Sequence, residues 1–120
     1  MKVYESVCIA SPSLSDEEIT KLTEKITETI ARTEASLIKI VNDGKKKLAY
    51  DIKHERRGTY LIVQFEGKGN AVSELERFYR MDDAIMKFLT VEIPASQANA
   101  STESIEQEEV LAGDSDGRVQ

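Results

Sequence analysis

The chain has 120 residues, of which 40% are hydrophobic and 32% charged, and its formal net charge is −6. This composition predicts one small globular domain. No apolar run is long enough to cross a bilayer, and the N-terminus lacks the apolar segment of a signal peptide. A single cysteine excludes an internal disulfide, so a reducing, cytoplasmic compartment is expected. One cysteine and one histidine supply too few ligands for a metal centre.

Negative charge is concentrated at the C-terminal end. From Ala95 onward the chain carries six acidic residues and one arginine, a local net charge of −5. The segment Lys39–Arg57 carries seven basic residues against three acidic ones, a local net charge of +4. Local charge is the better guide to binding partners here. We therefore predict a folded domain at residues 1–94 and a disordered acidic tail at residues 95–120.

The first half of the chain predicts a strand, a helix and a second strand. Val3–Ala10 is rich in strand formers, and a turn cluster follows it. Ser15 and Glu18 form the pattern of a capping box, which predicts a helix that runs to about Thr33. Apolar residues recur behind this cap at helical spacing, so one stripe of the helix should be buried. The stripe consists of Ile19, Leu22, Ile26 and Ile30.

The next segments read as a strand with a bulge or turn, followed by the clearest strand of the chain. Ser36–Val41 begins the second strand, Asn42–Gly44 interrupts it, and Lys47–Ile52 continues it. Gly58 should end the connection to the next strand. That strand, Tyr60–Glu66, carries apolar or aromatic side chains on both faces, so neither face can be fully solvated.

The last elements are a second helix and a final strand. Asn70 is positioned to cap the helix, whose buried stripe is expected at Val72, Leu75 and Tyr79 with Phe78 alongside. Asp82-Asp83 should end the helix, and Ile85–Ile93 is a strand stopped by Pro94. The order β-α-β-β-α-β predicts an α+β, ferredoxin-like sandwich. In that fold both helices pack on one face of a four-stranded antiparallel sheet.

The stretch Gly44–Tyr60 places a group of cations on one predicted β-hairpin. They favour contact with the phosphates of a nucleic acid, which requires charge but little base-specific chemistry. The alternative interpretation is a solvated hairpin whose lysines protect an edge strand from aggregation. The cations are Lys45, Lys46, Lys47, Arg56 and Arg57.

The sheet face opposite the helices, called the helix-free face below, is the second candidate site. Alternation in the third strand points one set of side chains, Leu61, Val63 and Phe65, toward the helices. The helix-free face is then expected to expose an apolar patch, which favours burial against a partner. RNA recognition on a sheet would use several stacking aromatics, so a protein partner is predicted. The expected patch consists of Val7, Ile9, Tyr60 and Ile62.

Catalytic residues are not expected. Cys8 stands in mid-strand between apolar residues and has no predicted base beside it, which is typical of a buried thiol. His54 lies among charged residues, where a solvated or phosphate-contacting role is favoured. The adjacent carboxylates at Asp16–Glu18 and Asp82-Asp83 are explained by a helix start and a turn.

These residues together resemble the bacterial small-ribosomal-subunit protein six family, over about Met1–Ile93. The family usually has proline at the position of Asp51, and often a basic pair where this chain has Met86-Lys87. The matching pieces are Tyr4-Glu5, Gly44-(basic)3-Leu48-Ala49-Tyr50-x-Ile52, Gly58-x-Tyr60, and the segment from Arg80-x-x-Asp83 to Lys87.

The resemblance implies a structural protein of the cytoplasmic ribosome, without catalytic residues or a cofactor. It implies binding to the central domain of 16S rRNA as a heterodimer with small-subunit protein eighteen, and neither a membrane nor a small-molecule substrate. With the apolar patch included, the partner-binding candidates are Val7, Ile9, Tyr60, Ile62, Arg80, Asp83 and Lys87. The RNA-binding candidates are Lys2, Lys45, Lys46, Lys47, Lys53, Arg56 and Arg57.

Two other classes share the predicted fold. A regulatory domain that binds a small ligand would dimerise through its sheet and need a glycine-lined pocket, which is not evident in the sequence. A small hydrolase of the acylphosphatase type would need an arginine-containing, anion-binding loop after the first strand. The loop Ser11–Leu14 has no arginine. Fold alone does not decide between these activities.

Overall fold

A computed structural model of the chain describes residues 1–98. The predicted order β-α-β-β-α-β is confirmed, and one 3-10 turn follows it. The elements are β1 (Lys2–Ala10), α1 (Asp16–Arg32), β2 (Ser36–Ile52), β3 (Glu55–Gly67), α2 (Gly69–Met81), β4 (Ile85–Ile93) and the 3-10 turn Ala95–Gln97. Residues 99–120, which make up most of the predicted acidic tail, lie outside the described residues.

The strands form one antiparallel sheet in the order β2-β3-β1-β4, so β1 and β3 are central and β2 and β4 are the edges. In the register of β1 and β3, Val7 lies opposite Ile62 and Cys8 lies opposite Leu61. Both helices pack on one face of this sheet, which is the predicted ferredoxin-like sandwich. Strand alternation therefore separates two sets of side chains, one facing the helices and one on the helix-free face.

The main core lies between the helices and the sheet. Helix α1 begins with the predicted capping box: the Ser15 hydroxyl accepts from the Glu18 backbone N–H at 3.2 Å, and a Glu18 carboxylate oxygen accepts from the Ser15 N–H at 2.8 Å. Hydrogen bonds from the Ser15 backbone N–H and then from its side chain lower the pKa of the Glu18 carboxyl. The predicted stripe of α1 is buried, and it packs on side chains from the central strands. Those strand residues are Cys8, Ala10, Leu61, Val63 and Phe65.

Helix α2 begins earlier than its sequence suggests. The predicted cap at Asn70 is wrong, because the helix starts at Gly69 and its N-cap is Lys68, which makes no side-chain capping bond. The buried residues are Ala71, Leu75 and Tyr79, whereas the predicted Val72 is only half-buried. Gly67 and Gly69 offer no capping side chain of their own, so the pattern misled the prediction by two residues.

Strands β2 and β3 form one long hairpin. The interruption predicted at Asn42–Gly44 is a bulge within a continuous β2, where Gly44 has φ +88°. Strand β3 begins at Glu55, five residues before the predicted Tyr60. The two strands are joined by Lys53 and His54 alone, which have φ values of 50° and 67°. Positive φ at both central residues is typical of the tight hairpin turns that favour Asn-Gly.

The turn residue His54 predicts a gain in stability on substitution. His54→Gly should stabilise the protein by about 0.5–1 kcal/mol, because glycine adopts positive φ without the steric cost that a Cβ imposes. His54→Ala is the matched control, since alanine keeps the Cβ and should bring no such gain. Urea unfolding midpoints would measure both variants. Equal stability of the glycine and alanine variants would contradict the argument.

Candidate functional site

The basic hairpin presents its cations on two different faces. Lys45 lies opposite Thr59 in the register and Lys47 lies opposite Arg57, so these side chains share one face of the ribbon. Lys45, Lys47 and Arg57 are exposed, and none of them forms an ion pair with another residue within 1–98. Like charges directly opposite each other destabilise a strand pair. An anion bound over this face would relieve that repulsion.

Lys46 faces the other way. Its ammonium group forms an ion pair with Asp43 and lies 5.4 Å from the centroid of the Tyr60 ring. The lysine is half-buried, so part of its side chain packs on the helix-free face. The run of three lysines thus divides into two exposed cations and one that is held by the protein itself.

The remaining RNA-binding candidates are not gathered at one place. Lys2 lies opposite Gly67, eight positions along β1 from the hairpin end of that strand, or roughly 27 Å. Its ammonium group lies 3.6 Å from a carboxylate oxygen of Glu92. Lys53 donates to the Ile85 carbonyl oxygen at 3.4 Å, and Arg56 is exposed on the hairpin. The structure therefore brings Lys45, Lys47 and Arg57 together and leaves Lys2 apart.

The four apolar residues predicted on the helix-free face do share that face, but they are not exposed. Their relative exposures are 2% for Val7, 1% for Ile9, 0% for Tyr60 and 1% for Ile62. They form a second, smaller core with Leu48, against which Ile52 and Met86 pack. The expectation of an exposed apolar patch is therefore wrong in this conformation.

The cover over this second core is the protein's own hairpin. Residues 46–58, called the hairpin arm below, extend beyond the end of β1 and curl over the helix-free face. Gly44 of β2 lies level with Lys87 of β4, and Tyr50 lies six residues beyond Gly44, so in a flat sheet Tyr50 and Lys87 would be roughly 24 Å apart. Instead, Lys87 donates to the Tyr50 hydroxyl, and its ammonium group lies 5.1 Å from the ring centroid. The arm thus reaches across the central strands to the opposite edge.

The base of the hairpin arm fits closely on β1. A Cβ added at Gly58 would lie 2.2 Å from Cγ2 of Ile9, which is far inside van der Waals contact. The absence of a side chain at Gly58 therefore lets β3 pass directly over Ile9. This close approach is a physical reason for the glycine that the sequence places between Arg57 and Thr59.

Part of the helix-free face stays accessible beyond the arm. Across the sheet, one row consists of Val41, Ile62, Val7 and Leu89, and the adjacent row of Lys39, Gln64, Glu5 and Val91. The edge-strand side chains of these rows are half-buried or, for Val41, 37% exposed.

The other three partner-binding candidates lie near the start of β4. Arg80 and Asp83 are exposed at the end of α2 and in the turn before β4, and Lys87 lies half-buried near the start of β4.

Glu5 is a polar residue of this face that the sequence reasoning missed. Its side chain is 1% exposed, and one carboxylate oxygen accepts a hydrogen bond from the Gln64 amide at 2.9 Å. The other oxygen, Oε2, is buried without a hydrogen-bond partner among the described residues. A buried acceptor left unpaired costs about 1–3 kcal/mol. The sequence did contain a signal for it, because Glu5 is an acidic residue between Val3 and Val7 on a strand face that is otherwise apolar.

Burial also changes the protonation of Glu5. Desolvation raises the pKa of its carboxyl above the ordinary value of 4.5, although the Gln64 hydrogen bond and the positive charge of Lys39 oppose this. A raised carboxyl pKa means that the folded state binds the proton more tightly than the unfolded state. The ionised form of Glu5 therefore lowers stability as the pH rises above 4.5.

Cys8 and His54, which the sequence analysis considered for catalysis, lie in very different surroundings. Cys8 is fully buried, and burial raises the pKa of its thiol to about 12, which disfavours the nucleophilic thiolate. Tyr79 and Ser6 share a buried hydrogen bond of 2.8 Å, and Thr90 donates to Ser6 at 3.1 Å. His54 is exposed at the hairpin turn. Within residues 1–98, no group of three or more His, Cys, Asp or Glu could hold a metal ion.

The loop after β1 does not offer an anion site of the hydrolase kind. The Ser13 backbone N–H donates to the Ser11 hydroxyl at 3.3 Å, so it serves the loop itself. Pro12 has no N–H to donate.

Among the helices of residues 1–98, none combines the length and the apolar character needed to traverse a bilayer.

Comparison with known proteins gives a consistent result. Residues 3–92 match the family model described as ribosomal protein S6. The small ribosomal subunit protein bS6 of Geobacter metallireducens is 37% identical over 98 residues, which cover 82% of this chain and 83% of that protein. The bS6 protein of Syntrophobacter fumaroxidans is 38% identical over 93 residues. This alignment covers 78% of the present chain but only 63% of that relative.

Solved structures agree with the sequence comparison. The crystal structure of 30S ribosomal protein S6 from Thermotoga maritima is 31% identical and superimposes with a TM-score of 0.72, covering 77% of this chain and 87% of that one. The C-terminal domain of MgtC from Mycobacterium tuberculosis has a TM-score of 0.54 at 12% identity, a likeness of fold alone. Because the family model matches residues 3–92, which is most of this chain, the chain belongs to the ribosomal protein S6 family.

Proposed function

We propose that the chain is a structural, non-catalytic component of the small ribosomal subunit in the cytoplasm. In this proposal it binds the central domain of 16S rRNA together with small-subunit protein eighteen. Membership of the S6 family supports the ribosomal role. The site residues are proposed from the surfaces of this chain, and the identity of the protein partner is proposed from the family resemblance.

One observation carries the RNA-binding part of the proposal. Lys47 and Arg57 are directly opposite each other on exposed strands, and Lys45 lies on the same face without an ion-pair partner among residues 1–98. This arrangement costs stability in the free protein. Phosphates of an RNA backbone would compensate it, since they provide negative charge at a spacing that several cations can follow.

The protein partner is assigned to the helix-free face. The accessible strip there consists of Val41, Leu89 and Val91, with Lys87 at its end. Beneath the hairpin arm, Val7, Ile9, Tyr60 and Ile62 form the floor that holds the strip in place. Arg80 and Asp83, at the same end of the sheet as the arm, would contribute polar contacts at the rim, where interfaces are usually charged.

Removal of the cationic face tests the RNA-binding proposal. The triple variant Lys45→Ala, Lys47→Ala, Arg57→Ala, paired with small-subunit protein eighteen, should bind a central-domain rRNA fragment more weakly. Each phosphate contact contributes about 0.7–0.9 to the slope of log K against log salt, so the slope should become shallower by about 2–3. Filter binding across a salt titration measures both quantities.

A second triple variant controls for total charge. Lys21→Ala, Lys25→Ala and Lys68→Ala remove three exposed lysines, two from α1 and one from the N-cap of α2. This variant has the same net charge as the first, but its salt slope should stay close to that of the unmodified protein. Identical slopes for all three proteins would rule out the hairpin as the RNA contact.

A further inference from the structure

We propose that the buried carboxylate of Glu5 is a docking site for a cationic side chain of the protein partner. The proposal rests on the proposed function, since it assumes that the partner covers the helix-free face. The occupant is an arginine or lysine that enters between the edge strands and donates a hydrogen bond to Oε2 of Glu5. Glu5 on β1 would then select a partner that presents a cation at this position.

The geometry around Glu5 points to an incomplete polar site. Oε1 already accepts from the Gln64 amide at 2.9 Å, whereas Oε2 is buried with no partner among the described residues. Buried polar groups in folded proteins are nearly always hydrogen-bonded, so an unpaired carboxylate oxygen calls for a donor. An ionised carboxylate accepts most strongly from a charged donor.

The position of Glu5 in the sheet makes a partner the natural source of that donor. Glu5 lies opposite Gln64 on one side and Val91 on the other, in a row whose two edge members, Lys39 and Val91, are half-buried. The adjacent row carries the half-buried Leu89 and the exposed Val41. A buried carboxylate flanked by apolar edge residues suits a long cationic side chain, whose aliphatic stem can pack on those residues while its head reaches the acid.

The charges around Glu5 agree with this assignment. Lys39 on β2 shares the row, and its positive charge favours the ionised carboxylate. The strand alternation places Glu66 of β3 on the same face, one row further along and exposed. Neighbouring β4 presents Val91 opposite Glu5. Because Glu66 lies outside the row of Glu5, a cation that pairs with Glu5 would contact only one acid of this face.

The variant Glu5→Gln tests the proposal with the full chain and purified small-subunit protein eighteen. Removing the charge should weaken heterodimer formation by about 30-fold or more, the effect expected when one member of a buried charge pair is lost. Isothermal titration calorimetry measures the affinity. The control Glu66→Gln removes the same charge from an exposed position and should change the affinity by less than about threefold.

The outcomes separate this inference from the proposed function. If the unmodified chain does not bind small-subunit protein eighteen, the proposed partner is wrong and the inference falls with it. If the unmodified chain binds and Glu5→Gln binds equally well, the inference alone is overturned. A loss confined to Glu5→Gln, with Glu66→Gln unaffected, supports it.

Two further readouts guard against a structural explanation. Burial of the ionised carboxylate is unfavourable, so Glu5→Gln should be more stable than the unmodified protein, with a difference that grows as the pH rises above 4.5. A variant that gains stability but loses affinity cannot be explained by misfolding.

In the unmodified protein, heterodimer affinity should increase from pH 4.5 upward as Glu5 ionises, relative to Glu5→Gln. Parallel pH profiles for the two proteins would contradict the docking role.

Discussion

Replacing Ile62 with aspartate is expected to unfold the protein. Ile62 is 1% exposed and belongs to the second core beneath the hairpin arm. An isolated charge at such a position is not paired or solvated, and the cost of burying it, added to the lost apolar packing, should exceed about 4 kcal/mol. This is a large share of the 5–15 kcal/mol that stabilises a typical domain. Circular dichroism during urea unfolding would measure the loss.

Two control variants test whether the buried charge at position 62 causes the loss of stability. Ile62→Val keeps the position apolar and should cost only about 0.5–1.5 kcal/mol. Val41→Asp introduces the same charge in the same row of the sheet, where the side chain is 37% exposed, so it should be tolerated far better. A folded Ile62→Asp variant with nearly unchanged stability would mean that the hairpin arm lifts readily and leaves the central strands open to solvent.

Substitution of Gly58 by alanine is the second change with a large expected effect. The new Cβ would lie 2.2 Å from Cγ2 of Ile9, and Ile9 is β-branched and buried, so its methyl group cannot rotate away freely. Overpacking of this kind costs about 1–3 kcal/mol. The hairpin arm should shift outward, which would break the contact between Tyr50 and Lys87. Thermal unfolding and the NMR shifts of Tyr50 would report the two effects.

Gly69 provides the matched control for Gly58. A Cβ at Gly69 would meet nothing within 4 Å, and the residue is in the first turn of α2, where alanine is favoured by up to about 1 kcal/mol. Gly69→Ala should therefore leave the stability unchanged or raise it. In a double-mutant cycle, Ile9→Ala should remove most of the penalty of Gly58→Ala. Additive costs would show that the clash with Ile9 is not the cause.

Local patterns were enough to predict the order of elements and the orientation of each strand. The capping box of Ser15 and Glu18 fixed the start of α1, because both of its hydrogen bonds form between neighbours in the sequence. Strand alternation correctly separated Leu61 from Ile62, since the period of two is a property of the backbone. The start of α2 was mispredicted because Lys68 caps it without a side-chain signal.

The path of the hairpin arm could not be read from the same patterns. Alternation indicates which face a side chain occupies, but not what lies above that face. The curl depends on contacts distant in sequence, such as Tyr50 with Lys87 and Lys53 with the Ile85 carbonyl. For the same reason the sequence could not divide its lysine run, where Lys46 is held by Asp43 while Lys47 lies opposite Arg57.

The placement of Cys8 has a practical consequence. It is the only sulfhydryl of the chain, and it is sealed between the central sheet and the helices, with its thiol pKa near 12. Reagents that label thiols can reach it only when β1 separates from α1 and α2. The rate of thiol labelling therefore reports how often the helices separate from the sheet. Cys8 thus serves as a built-in probe of the unfolding rate.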